Sequence, residues 1–162
     1  MRFLFLLGLA VLLGVGCDVS DHTDGVDLFN QYFSVYPIEL SEQTLEVEPL
    51  LVPAYHAYQA RDFETVVDLT TDFTNNVRRL PLVMMAQSMG LIETEQYATA
   101  DSILNILQAH PAIRADVLWY RALLSVRDGE YATSERYLAD LRLYGTKEQQ
   151  ERAEELAAQL KG

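Results

Sequence analysis

The chain has 162 residues, about the length of one domain, and 49% of them are hydrophobic, which is enough for a packed core. Twenty-four acidic residues against 12 basic ones give a formal net charge of -12. Nucleic-acid binding needs a basic surface, so this balance argues against nucleic acid as a partner. The single cysteine excludes an internal disulfide. His22, His56 and His110 are too far apart in sequence to suggest a metal site.

Residues 1–16 have the pattern of a signal peptide. Arg2 gives the positive start, and an apolar run follows from Phe3 to Val15. This run is shorter than the roughly 20 residues that a membrane-spanning helix needs. It ends in Leu13-Gly14-Val15-Gly16-Cys17, so the only thiol of the chain stands where the apolar run meets an acidic stretch.

This ending resembles the lipobox of bacterial lipoproteins, although the usual leucine stands one place early, at Leu13. The resemblance implies cleavage before Cys17 and attachment of palmitate-type acyl chains to Cys17. Several acyl chains would hold the protein firmly on a membrane. It also implies a location in the bacterial cell envelope, at either the inner or the outer membrane. An ordinary secretory leader or a retained signal anchor stays an open alternative.

Residues 17–26 are polar and acidic, which predicts a flexible tether. Residues 27–48 form an N-terminal segment that begins with closely spaced aromatic residues. Their three- and four-residue spacing predicts a short helix that ends at Pro37, followed by a loop over 38–48. We expect this segment to cap the apolar face of the first repeat, and an aromatic binding patch is the alternative. The aromatic residues are Phe29, Tyr32, Phe33 and Tyr36.

A repeat period of about 34 residues organises the rest of the chain. The period is defined by three equally spaced aromatic residues, by small residues nine places before each of them, and by large apolar residues thirteen places before each. A constant period of this size is typical of stacked helical units, none of which can bury its apolar face alone. The three sets are Phe63, Tyr97 and Tyr131; Ala54, Ser88 and Ala122; and Leu50, Met84 and Leu118.

At these positions the chain resembles the tetratricopeptide repeat (TPR) family. The match is clearest from Leu118 through Ala122, Gly129 and Tyr131 to Leu138. The resemblance implies an all-α fold over residues 49–162: a short solenoid of about three antiparallel helix pairs with a C-terminal capping helix. An irregular helical bundle is the alternative fold.

Local signals place the helix ends. The first helix begins near Glu48 or at Leu51, and Asp62 is the expected N-cap of the next one. Pro81 opens a helix, and Asp128-Gly129 forms a turn. Thr146 with Gln149 predicts a capping box, and the last helix has one apolar stripe: Ala153, Leu156, Ala157 and Leu160.

No catalytic motif is present: the chain lacks GxSxG, HExxH, a phosphate-binding glycine loop and a dinucleotide fingerprint. We therefore predict an interaction module without catalytic activity, cofactor or metal, which holds a peptide or protein partner. A structural subunit of an envelope assembly or secretion complex is the alternative, and an enzyme with an unrecognised site is the third. Family geometry implies that the first helix of each unit lines a concave groove, and it gives these candidate partner-binding residues: Tyr55, His56, Gln87, Tyr120 and Arg121.

Overall fold

The computed structural model describes residues 20–73 and 80–161. The predicted signal peptide, its cleavage and the lipidation at Cys17 lie outside these residues. Within the described ranges every regular element is helical, which confirms the all-α prediction.

The described part contains nine α-helices. Six of them form three successive pairs, and the second helix of one pair contacts the first helix of the next pair. Three pairs pack as hairpins: α3 with α4, α5 with α6, and α7 with α8. We call them pair 1, pair 2 and pair 3. Helix α9 packs on α8, and α1 packs on α7. The helices are α1 (Ser20–Tyr32), α2 (Glu42–Val47), α3 (Leu51–Gln59), α4 (Phe63–Asp72), α5 (Pro81–Glu93), α6 (Tyr97–Leu107), α7 (Arg114–Arg127), α8 (Tyr131–Tyr144) and α9 (Lys147–Gln159).

The turn inside each pair has the same backbone geometry. Its central residue has positive φ in all three pairs: 59° at Arg61, 61° at Glu95 and 74° at Gly129. The amide after this residue donates to a carbonyl five places earlier, a bond that satisfies the end of the preceding helix. The repeat period is therefore a property of the backbone as well as of the sequence. The three bonds are Asp62 to Ala57 (2.9 Å), Gln96 to Leu91 (2.7 Å) and Glu130 to Ser125 (2.8 Å).

Helix α7 lies at the centre of the core. Every residue from Val117 to Val126 is buried, because α1, α6 and α8 surround this helix. A helix buried on all sides needs small residues where its neighbours approach closely. Ala122 of α7 and Ser134 of α8 fill that role, and neither has any exposed surface.

Most helix ends follow the sequence signals. Helix α3 begins at Leu51, one of the two expected positions. Asp62 caps α4, because its carboxylate accepts a bond of 3.2 Å from the amide of Thr65. Both bonds of the capping box form at α9: Gln149 N–H donates to Thr146 Oγ1 (3.3 Å), and Thr146 N–H donates to Gln149 Oε1 (2.8 Å).

Three predictions for the N-terminal region are wrong. The helix predicted to end at Pro37 ends at Tyr32, and residues 33–41 lie outside any helix. Residues 20–26, predicted as part of a flexible tether, belong to α1, which packs on α7. The approach is close at Gly25, where a larger residue would clash with the carbonyl oxygen of Val126. The loop predicted over 38–48 contains helix α2, which begins after Ser41. The Ser41 side chain accepts a bond from the amide of Thr44, which caps this short helix.

None of the helices in residues 20–73 and 80–161 combines the length and the apolar character that crossing a membrane would require.

Candidate functional site

The inner face is the side of α3, α5 and α7 that carries Tyr55, Ala86 and Tyr120. Residues 25–40, which we call the N-terminal strap, run along it. The strap does not cap pair 1 alone as the sequence suggested, since its helical part packs on α7 of pair 3. The physical reason is a set of aromatic contacts. Tyr32 of the strap packs edge-on against Trp119 of α7, and Phe33 packs edge-on against Tyr120.

Tyr120 is the centre of this contact. Its ring lies 6.1 Å from that of Phe33 and 6.4 Å from that of Tyr36, both edge-on, and its hydroxyl donates a bond of 2.8 Å to the carbonyl of Ser34. Only 5% of the residue is exposed. Burial, the largest cause, raises the pKa of its hydroxyl. The prediction that Tyr120 lines an open groove is therefore wrong, because the chain itself covers it.

Hydrogen bonds from two distant helices hold the middle of the strap. The Arg152 guanidinium of α9 donates a bond of 2.6 Å to the carbonyl of Tyr32. The Tyr58 hydroxyl of α3 donates a bond of 2.6 Å to the carbonyl of Tyr36. These bonds satisfy carbonyl groups that the end of α1 and the extended segment after it would otherwise leave unpaired. The strap therefore connects pair 1 with the C-terminal helix.

Arg121 faces away from the inner face. Its Nε donates to Asp101 at 2.8 Å, and its NH1 group donates to Asn105 at 2.8 Å and to Gln108 at 2.7 Å. Its guanidinium lies 4.6 Å from the ring centre of Tyr137. Arg121 is buried and joins α7 to α6 and α8. Consecutive residues of a helix point about 100° apart, and here Tyr120 faces the strap whereas Arg121 faces α6.

The other three candidate residues are distributed differently. Gln87 is buried, and its side chain donates a bond of 3.1 Å to Thr71 of α4, so it also faces a neighbouring helix. Tyr55 is half-buried and lines an open cavity. His56 is exposed, with its ring centre 6.1 Å from that of Tyr55. Of the five residues, Tyr55 and His56 are thus close together and accessible.

The cavity that Tyr55 lines lies where α2, α3, α4 and α5 meet the end of the strap, and its volume is about 200 Å³. Its walls are almost entirely apolar. The hydroxyls of Thr70 and Tyr58 in its walls donate to the carbonyls of Val66 (2.7 Å) and Tyr36 (2.6 Å). The lining residues are Ile38, Leu40, Thr44, Leu51, Ala54, Tyr55, Tyr58, Thr70, Phe73, Leu80, Pro81, Leu82, Val83 and Ala86.

One repeat position explains why the cavity is open here. Ala86 of α5 and Tyr120 of α7 are one repeat period apart, so they occupy the same place in successive pairs. The ring of Tyr120 fills the inner face at pair 3, whereas the methyl group of Ala86 leaves space at pair 2. Aligning these two positions by the period would have indicated the cavity from sequence.

Exposed carboxylates lie on two of the helices that contribute to the cavity wall. Glu42 and Glu46 are exposed on α2, which contributes Thr44 to the wall, and Asp68 and Asp72 are exposed on α4, which contributes Thr70. Among the described residues, no ion pair joins these four carboxylates to a base. The sequence from Asp27 to Ala60 contains no lysine or arginine, and Arg78-Arg79 lies in the undescribed part between α4 and α5. Each of these carboxylates stands two positions from the wall residue of its own helix, so it points about 200° away from that residue and does not line the cavity.

A separate carboxylate, Asp116, lies beneath the strap. It accepts a bond of 2.7 Å from the Gln149 side chain and a further bond from the Tyr36 hydroxyl. Burial, the largest cause, raises the pKa of Asp116, and the two hydrogen bonds partly oppose this effect. In residues 20–73 and 80–161 no group of three or more His, Cys, Asp or Glu side chains is placed to hold a metal ion.

Comparisons with protein-family models, with curated proteins and with solved structures gave no match to this chain.

Proposed function

We propose that this protein is a TPR-type helical solenoid that binds a peptide or protein partner without catalysis and is anchored in the bacterial envelope through lipid on Cys17. The solenoid is supported by three helix pairs in which the same positive-φ turn recurs at Arg61, Glu95 and Gly129. The anchor rests on the resemblance of the leader to a lipobox.

The observation that carries the binding proposal is the apolar cavity beside Tyr55. The strap fills the inner face at pair 3, so a partner that uses this face binds at pairs 1 and 2. Leu80 and Leu82 of the cavity wall are 38% and 36% exposed, so apolar surface is accessible from solvent. Exposed apolar surface that lines a pocket is typical of sites that bind partners or ligands.

A capture experiment tests this function. The full chain in phosphatidylcholine nanodiscs, immobilised through a C-terminal tag, is exposed to bacterial envelope extract, and bound proteins are identified by mass. Ala86→Phe fills the cavity, and Ala139→Phe makes the same change at an exposed position of α8. We expect proteins that the wild type and Ala139→Phe retain and Ala86→Phe does not. Identical sets from all three baits would contradict the cavity as the binding site.

The alternative, a fixed subunit of an envelope complex, has an observation of its own. Leu143 and Tyr144 at the end of α8 are 75% and 55% exposed, outside the cavity and the strap. Large exposed apolar side chains of this kind are common at permanent interfaces. Partners that resist high salt and are retained equally by the wild type and Ala86→Phe would favour this second function.

A further inference from the structure

We propose that one edge of the solenoid faces the bilayer that holds the lipid of Cys17, and that the opposite edge faces away from it. The first edge, which we call the turn edge, consists of the turns inside the three pairs, at residues 60–62, 94–96 and 128–130. The far edge consists of the other ends of the same helices. This inference rests on the lipid anchor of the proposed function and adds the side from which a partner approaches.

Side-chain contacts place the three turns at one edge. Arg61 of the first turn pairs with Glu93 at the end of α5, with 3.6 Å between its nitrogen and the carboxylate oxygen. The guanidinium carbon of Arg127, at the end of α7, lies 3.5 Å from the ring centre of Tyr97, the first residue of α6. Each contact joins one turn to the next, so the three turns form a continuous edge.

The first residue of α1 lies beyond this edge. The last residue of α1, Tyr32, packs on Trp119 of α7. Gly25 lies close to the carbonyl oxygen of Val126, near the end of α7, so the two helices run antiparallel. Ser20 is five residues before Gly25, which places it about 7 Å farther along the helix axis. The start of α1 therefore projects past the turn edge.

The connection from this helix to the lipid is short. Three residue steps separate Cys17 from Ser20, and they span at most about 11 Å in any conformation. Helix α7 and the projecting part of α1 together separate the far edge from Ser20 by about 28 Å. The lipid would therefore hold the turn edge next to the bilayer, and the connection is too short for the far edge to turn over onto it.

Exposed apolar side chains are concentrated at the far edge. In residues 20–73 and 80–161, the large apolar side chains that are between 36% and 75% exposed all lie at or next to this edge. A surface of this kind is typical of contacts with proteins or membranes. These side chains are Val47 and Leu50 before α3, Leu80 and Leu82 around the start of α5, Ile106 at the end of α6, and Leu143 and Tyr144 at the end of α8.

The turn edge is polar and acidic. Glu95, Asp128 and Glu130 are exposed there, and Arg61 is the only base of the three turns. Anionic headgroups repel such a surface, so the lipid and not charge would hold it at the bilayer. We therefore expect the turn edge to lie at the headgroups without entering the acyl layer.

This orientation determines where a partner can approach. Leu80 and Leu82 belong to the cavity wall, and Leu143 with Tyr144 forms the apolar surface of the alternative function. All four lie at the far edge, one helix length from the bilayer. A protein partner in the surrounding solution can therefore reach them while the lipid stays in the membrane.

A matched pair of probes on α6 tests the orientation. Ala98 is exposed in the first turn of α6, and Ala109 is exposed just after its end, about 16 Å away along the helix. Cys17 is the only cysteine and would carry the lipid, so Ala98→Cys and Ala109→Cys each add one free thiol for a fluorophore. The full chain is purified from bacterial membranes and placed in phosphatidylcholine vesicles with nitroxide-headgroup lipid. A thermal transition shows that each labelled variant is folded.

We expect the probe at position 98 to be quenched at least about threefold more than the probe at position 109, because a helix length separates them. Nitroxide on the acyl chains should quench neither probe. A 20-residue glycine–serine insert between Val19 and Ser20 has a reach of about 25 Å and should reduce the difference. The matched control is the same insert after Gly162, which should leave the difference unchanged.

Three outcomes would overturn the proposal while the anchor stands. Equal quenching of the two probes would mean that the molecule lies on its side or has no fixed orientation. Stronger quenching at position 109 would mean that the apolar far edge lies on the bilayer. An unchanged difference with the N-terminal insert would mean that the short connection does not set the orientation. A chain that does not float with vesicles, or whose mass lacks acyl chains, would instead remove the anchor of the proposed function, and this orientation with it.

Discussion

The two ends of the inner face differ in how they are filled. At pair 3 the strap and Tyr120 fill the space with aromatic rings, and hydrogen bonds to the strap backbone close it. At pair 2 the position equivalent to Tyr120 is Ala86, and at pair 1 it is Val52. There the strap ends in an extended segment, and a cavity of about 200 Å³ remains. The inner face of equivalent helix pairs can therefore be filled, as at pair 3, or open, as at pair 2, depending on one side chain and on the path of the strap.

The largest expected effect on stability comes from removing the aromatic side chain of Tyr120 at pair 3. Tyr120→Ala should lower the free energy of unfolding by about 3–5 kcal/mol, since it removes a buried aromatic side chain. Tyr120→Phe keeps the ring and loses only the bond to Ser34, so about 1 kcal/mol is expected. Tyr55→Ala, at the half-buried open end, should also cost about 1 kcal/mol. Urea denaturation measures all three, and equal costs for Tyr120→Ala and Tyr55→Ala would contradict the comparison.

The same substitution should have opposite signs at the two ends. Ala122 has no exposed surface between α7 and α8, so Ala122→Phe should overpack the core and cost about 1–3 kcal/mol. Ala86→Phe should instead fill the cavity and stabilise the protein by about 0.5–2 kcal/mol. Thermal denaturation of both variants gives the comparison. An unchanged melting temperature for Ala122→Phe would mean that the repeat register is wrong.

The repeated turn allows a smaller test that does not involve the inner face. Gly129→Ala places a side chain at φ 74° and should cost about 1 kcal/mol. Glu95→Gly relieves the backbone strain at φ 61°, but glycine also raises the conformational entropy of the unfolded chain. We therefore expect the free energy of unfolding to rise by only about 0.5 kcal/mol. Chemical denaturation detects both effects. A loss of stability in both variants would mean that the two turns are not equivalent.

The smallest effect depends on pH. The folded state holds the pKa of Asp116 above its ordinary value, chiefly through burial, so the folded protein binds this proton more readily than the unfolded chain does. The contribution of Asp116 to stability therefore falls as pH rises from the ordinary aspartate range through the raised pKa. Asp116→Asn should be more stable than the wild type at pH 7, and this advantage should shrink toward pH 4. Unfolding free energies at several pH values measure it, and an advantage that grows at low pH would contradict the sign.

The sequence predicted what depends on neighbours along the chain. The caps at Asp62 and Thr146, the start at Leu51 and the turn at Gly129 each follow from residues within one helical turn of the boundary. The repeat period predicted the helix pairs because it records which positions must be small or large where two helices meet. These signals are local, so no tertiary contact was needed to read them.

The path of the strap could not be predicted in this way. The bond from Tyr120 to Ser34 joins residues 86 positions apart, and the bond from Arg152 to Tyr32 joins residues 120 positions apart. The aromatic spacing indicated that one side of the segment needs covering, but it did not indicate by which helix. Arg121 was misplaced because a shift of one residue on a helix changes the direction of the side chain by about 100°.

The strap also has a consequence for how the molecule unfolds. Helix pairs stacked in a row contact only their neighbours, so their terminal pairs can fray independently. Here Tyr58 of the first pair and Arg152 of the last helix bind the same short segment. Releasing either end disturbs the other, so we expect a single cooperative transition in place of stepwise fraying. The same long-range contacts raise the contact order, so the protein should fold more slowly than a helical array of its size without a strap.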